Sequence, residues 1–181
     1  DALPIYEVVN ELSNYETPLL NLSSVIHEVY SYCSAEEIDR FWNHVFNSGY
    51  TYIVIRDMVY DEDIQRASNV NDVMKVHTWA KKTNNEKYLK EFERFWGRIT
   101  EYKTLIHFLL KFKYQIGWER EVRENYLPLS VQHLYELIPA NYRIDYAEHY
   151  TLPYFKHEWE QEIGLYVDEK IHSKFIIKKL N

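Results

Sequence analysis

The stretch that most limits what this chain can fold into runs from Ser34 to Met58. SAEEIDRFWNHVFNSG (34–49) carries its own start and stop signals. Ser34 and Glu37 have the spacing of a capping box, in which each side chain satisfies the other residue's free backbone N–H. Ile38, Phe41, Trp42, Val45 and Phe46 recur at helical spacing and form one apolar stripe. Gly49 supplies the left-handed residue on which a helix can end. YTYIVIRDM (50–58) follows at once, and its Tyr52–Ile55 centre is aromatic and β-branched, as a buried strand requires. Upstream, PLLNLSSVI (18–26) is a second mostly apolar run. The order strand, helix, strand predicts a right-handed crossover between two parallel strands.

The remaining pattern alternates in the same way. ALPIYEVVNELSNY (2–15) reads as a short amphipathic helix with Pro4 in its first turn. The polar stretch 60–72 reads as a loop over the second strand's carboxyl edge. Residues 73–82, 86–96 and 99–114 read as helices, the last apolar nearly all round and therefore well buried. Gly117 and Pro128 bracket a short helical piece, and 130–139 is another helix. YRIDYAEHY (142–150) alternates like a strand, 156–164 is a helix closed by Gly164, and HSKFIIKKL (172–180) is a final strand. With 4 Gly and 5 Pro in 181 residues there is little material for linkers, so one domain, 1–181, is expected.

Charge and composition exclude several classes. A net charge of −7 gives no whole-chain footprint for nucleic acid, although Lys111, Lys113 and Arg120 offer a local basic group. No apolar run approaches the ~20 residues that span a bilayer. No basic-then-apolar leader is present at the amino end, so no secretory signal is expected. The one cysteine, Cys33, forms no internal disulfide; a buried, inert thiol in a reducing, cytoplasmic setting is the expectation.

Polar residues gather after the first apolar run. His27-Glu28 matches the first half of the zinc motif H-E-x-x-H, but the fifth position is Ser31 and the preceding run reads as a strand, so no metal site is expected. The other histidines lack close ligand spacing. Arg56-Asp57 ends the second strand and reads equally as a pocket wall or as a charged strand end that pairs locally. In WEREVRENYLPLS (118–130), aromatic and polar residues suit a pocket, while Arg120, Glu121, Arg123 and Glu124 read more readily as a solvated helical face. No glycine-rich phosphate loop is present.

Strand–SSVIHE–capped helix–strand–IRDM, then a helical insertion, a Tyr-rich strand, a helix and HSKFIIKKL, resembles the C-terminal half of class I S-adenosylmethionine-dependent methyltransferases. Ser23–Glu28 matches a phrase that often ends that family's fourth strand, and Tyr52–Met58 matches its fifth. The resemblance implies an α/β fold: a partial Rossmann-like sheet with parallel strands 19–26 and 51–56 and antiparallel strands 142–150 and 172–180. The last strand would lie between the second strand and 142–150, and a helical insertion, 73–139, would act as a cap. Ser23, Ser24 and His27 would then lie along the methionine–sulfonium side of S-adenosylmethionine. Glu28, Arg56, Asp57, Trp118, Arg123, Asn125 and Tyr126 would lie on the acceptor side. His27 would be a candidate general base, set against a purely orienting hydrogen bond between strand end and loop. The family's first strand and glycine-rich loop are not in this sequence. The resemblance therefore implies a second chain or an N-terminal half that completes the fold, and weak cofactor binding by this chain alone. The alternatives are a non-catalytic methyltransferase-like binding module and an unrelated α/β domain with an aromatic protein interface. The methyl acceptor is left open.

Overall fold

A computed structural model describes residues 17–180 of the chain. In chain order the elements begin with strand β1 (Leu19–Ser23), helix α1 (Ile26–Tyr32), α2 (Ala35–Asn47), β2 (Tyr52–Asp57) and β3 (Val59–Tyr60). Three helices follow: α3 (Val70–Lys82), α4 (Glu86–Trp96) and α5 (Tyr102–Lys111). The chain then forms α6 (Trp118–Glu121), β4 (Leu129–Ser130), α7 (Val131–Leu137), β5 (Tyr142–Tyr150), α8 (Pro153–Ile163) and β6 (His172–Lys179).

The main sheet has the order β1-β2-β6-β5. β1 and β2 run parallel, with Leu22 opposite Ile55 and Ser23 opposite Arg56. β6 runs antiparallel to both β2 and β5, so the final strand does lie between the second strand and 142–150, as expected. α2 explains why this sheet is stable. Its capping box is formed, with the Ser34 amide donating to Glu37 Oε2 at 2.8 Å and the Glu37 amide donating to Ser34 Oγ at 3.4 Å. Trp42, Val45 and Phe46 then bury against Leu22, Ile53, Ile55, Tyr142, Phe175 and Ile177. Gly49 follows the helix at φ +85, where a Cβ is unfavourable.

A second core sits in the helical insertion. Phe92, Leu105, Phe108 and Leu109 pack with Trp79 and with Trp159 of α8, whose indole N–H donates to the Leu109 carbonyl at 2.9 Å. The expectation of a well-buried helix over 99–114 holds for its centre: every residue from Leu105 to Phe112 is buried, but the helix spans only Tyr102–Lys111, and Thr100, Glu101, Lys113 and Tyr114 are exposed.

Several expectations need correction. The first strand ends at Ser23, not Ile26, because Ser24 turns the backbone at φ 56 and α1 starts at Ile26. Local periodicity missed this helix because its first amide is held from afar: Ile26 N–H donates to the Asp57 carboxylate at 2.8 Å. The stretch 60–72 is not only loop; it holds a 3-10 turn at Glu62–Ile64 and the start of α3. The short parallel pair β3–β4 had no signal in either segment alone. Cys33 is exposed at the end of α1, where its amide donates to the Val29 carbonyl, rather than buried. The expected helix over 2–15 lies outside the described residues. Among the described residues no helix is long and apolar enough to cross a membrane.

Candidate functional site

At the carboxyl ends of β1 and β2 the chain forms a cavity of about 280 Å3. The parallel register makes it. Ser24 N–H donates to the Arg56 carbonyl at 2.8 Å, which tethers the tip of β1 to β2 just as the chain turns. A non-glycine residue in the left-handed region is uncommon, and here it lines the cavity. The turn delivers His27 into the first turn of α1, beside the end of β2.

Asp57 is the organising group. It is 5% exposed and accepts three hydrogen bonds. Oδ2 accepts from Ile26 N–H at 2.8 Å, and Oδ1 accepts from Met58 N–H at 2.8 Å and from His27 Nδ1 at 2.8 Å. Burial alone would raise the carboxyl pKa, but the His27 hydrogen bond and charge, with the two amides, hold it below the ordinary 3.8. Burial alone would likewise lower His27; the Asp57 hydrogen bond and charge outweigh it, and His27 rests above 6.5. An ionised carboxylate only accepts, so Nδ1 carries the proton. In the neutral ring Nε2 is then a lone-pair acceptor, and it makes no hydrogen bond among the described residues. Arg56 reaches back over the strand tips, donating from Nε to Ser23 Oγ at 2.9 Å and from its terminal nitrogen to Ser24 Oγ at 3.3 Å.

The walls are aromatic. Tyr126 meets the His27 ring edge-on at 5.5 Å. Behind Tyr126 lies a buried polar layer. Lys111 Nζ donates to the Glu121 carbonyl and sits 3.6 Å from the Tyr126 ring centre. Burial pushes this ammonium down to about 7. His107 Nε2 accepts from the Tyr126 amide at 3.2 Å; burial, then the Lys111 charge, keeps that imidazole well below 6.5. Opposite, His172 lines the cavity stacked between Tyr150 and Phe155, at 5.6 and 5.8 Å between ring centres. Its Nδ1 is buried without a hydrogen-bond partner, and burial pushes the imidazole down to about 4.

Of the residues singled out in the sequence, Ser24, His27, Arg56, Asp57 and Tyr126 come together on the cavity, and Ser23 joins through Arg56. Glu28 is exposed and does not line it. Trp118 is buried in the helical core with its indole donating to Glu91 at 3.0 Å. Arg123 lies over Phe95, 5.7 Å from the ring centre. Asn125 serves the backbone, its amide donating to Ser31 Oγ at 2.7 Å and its side chain accepting from Leu127 N–H at 3.2 Å. The solvated face expected at 120–124 is corrected at Glu124, which is 2% exposed and accepts from Arg120 at 2.9 Å and Tyr32 at 2.6 Å. The local basic group does not form either. Lys111 is buried, Lys113 pairs with Glu158 and Glu162, and Arg120 pairs with Glu124.

His27 lies on a helix, so one ground for setting the zinc motif aside was wrong. At the motif's fifth position Ser31 spends its hydroxyl on the His27 carbonyl at 2.6 Å. His172, Tyr150 and Phe155 were missed. Their one signal was position: β6 sets Ser173 opposite Asp57, which brings its neighbour His172 to the site. No family model, curated protein or solved structure matches the chain.

Proposed function

We propose that this chain forms the acceptor side of an S-adenosylmethionine-dependent methyl-transfer site. One observation carries the reading. The cavity opens at the carboxyl ends of two parallel strands, in a sheet of order β1-β2-β6-β5 with β6 antiparallel. That order is what the resemblance to class I methyltransferases implies, and the carboxyl edge is where open α/β sheets bind ligands.

The residues present fit one end of such a cofactor. Ser23 and Ser24 accept from Arg56, so their own hydroxyl protons are uncommitted among the described residues. With Arg56 they would hold the amino-acid end, and His27 would stand beside the sulfonium. The cofactor supplies an electrophilic methyl group when bound. The chain's own contribution is positional and acid–base. Tyr126, Tyr150 and Phe155 exclude water around the acceptor, and Asp57 fixes the His27 ring with its Nε2 lone pair open to take the acceptor's proton.

Calorimetry with S-adenosylhomocysteine on the full-length protein tests the reading. Absence of both heat and thermal shift at millimolar ligand would sink it and favour a non-catalytic binding module. His27→Asn, which keeps a donor for Asp57 but no base, should slow methyl transfer about 10²–10⁴-fold while cofactor affinity holds.

A further inference from the structure

We infer that the acceptor is a small planar molecule carrying an ionisable hydroxyl next to a hydrogen-bond acceptor such as a carbonyl, held between His27 and His172. The inference rests on the acceptor-side reading above and adds the substrate class.

The two imidazoles present opposite polarity. His27 gives its Nδ1 proton to Asp57, so its open nitrogen is an acceptor and seeks an O–H or N–H. His172 is the reverse case. Its Nδ1 is buried and has no partner. A buried N–H with nothing to bond is rarer and more costly than a bare lone pair, so the proton belongs on Nε2. That nitrogen has no protein partner among the described residues and is not sealed off as Nδ1 is. His172 therefore offers the cavity a donor. Both rings line the same cavity, because β2–β6 pairing places Asp57, which holds His27, opposite Ser173.

Shape and size follow from the walls. His172 is stacked between two aromatic rings at interplanar angles of 24° and 16°, so its in-plane N–H is held in one direction. Tyr126 closes the His27 side. The cavity is about 280 Å3, and the acceptor shares it with the cofactor end held at Ser24 and Arg56, so the acceptor is no larger than one ring with a short substituent. The cavity offers cations few partners, because Asp57 already accepts three hydrogen bonds. Arg56, the cationic group on the cavity, is given to the cofactor's amino-acid end, so a neutral acceptor is the match.

The test uses full-length protein with histidines labelled in the ring nitrogens and three probes. Salicylamide has the hydroxyl and the carbonyl, phenol lacks the carbonyl, and benzamide lacks the hydroxyl. Salicylamide should bind about 10-fold more tightly than either of the others and shift the ring-nitrogen signals of both His27 and His172. His172→Phe keeps the stack and removes the N–H. It should weaken salicylamide about 10-fold and leave phenol unchanged. If that variant fails to fold, the labelled wild type still decides, since an unmoved His172 signal on saturation overturns the inference. Equal binding of the three probes overturns it too. S-adenosylhomocysteine binding is read in the same samples. Cofactor binding without probe discrimination overturns this inference alone, whereas discrimination without cofactor binding overturns methyl transfer and supports the pocket chemistry.

Discussion

Lys111→Met should change how the stability of this protein depends on pH. Lys111 is 0% exposed, packed in the helical core behind Tyr126. Burial pushes its ammonium from 10.5 down to about 7, so the folded chain holds this proton less tightly than the unfolded chain does. Between those values the unfolded state binds more protons, and stability must rise with pH through that window. Each pH unit inside it contributes about 1.36 kcal/mol, so the lysine's unfavourable contribution should shrink by about 2–3 kcal/mol from pH 7 to pH 9. Methionine has similar length and no charge. It leaves the Glu121 carbonyl without its donor, a cost of about 1–3 kcal/mol, but that cost does not vary with pH. The measurement is urea unfolding followed by tryptophan fluorescence at pH 7, 8 and 9. The wild type should gain on the variant by about 1 kcal/mol per unit. Comparing the two chains removes the opposite trend from His27, whose raised pKa makes its contribution fall as pH rises. Parallel stability curves for the two proteins would refute the idea that Lys111 is desolvated in the folded state.

Asp57→Asn should bring the His27 titration midpoint, read by NMR, to 6.5 or below and cost about 3 kcal/mol. The loss should be greatest between pH 3.8 and 6.5, because His27, raised, contributes fully below 6.5 and Asp57, lowered, contributes fully above 3.8. An unmoved midpoint would show that Asp57 does not set it. Ser34→Ala removes the capping box and should cost about 1 kcal/mol in thermal melts, with little further loss on adding Glu37→Ala. Phe175→Ala empties a site that is 0% exposed between β6 and α2's core, and should cost about 3–5 kcal/mol in denaturant. A loss below 1 kcal/mol would mean that the surrounding side chains close the gap.

The sequence alone determined the elements whose signals are local. The capped helix at 34–49, the β-branched strand after it and the alternating strand at 142–150 stand where periodicity and caps put them, because a helix stripe and a β run read over adjacent residues. The parallel pairing of the first two strands was legible in the strand–helix–strand order, whereas the place of the last strand between its neighbours was legible only through the resemblance. Tertiary structure decided what depends on partners distant in sequence. His27 sits in a helix because a carboxylate 30 residues later holds that helix's first amide and its own ring. Lys111 and Glu124 look like surface charges by composition, and become buried because α5 and the 118–127 segment close over each other around Tyr126. The site's far wall is the clearest instance. His172 opens an ordinary-looking final strand, and only antiparallel pairing with β2 sets it beside Asp57. Hydrophobic period fixes which face of an element is buried; it carries no information on which polar side chains two folded elements bring together.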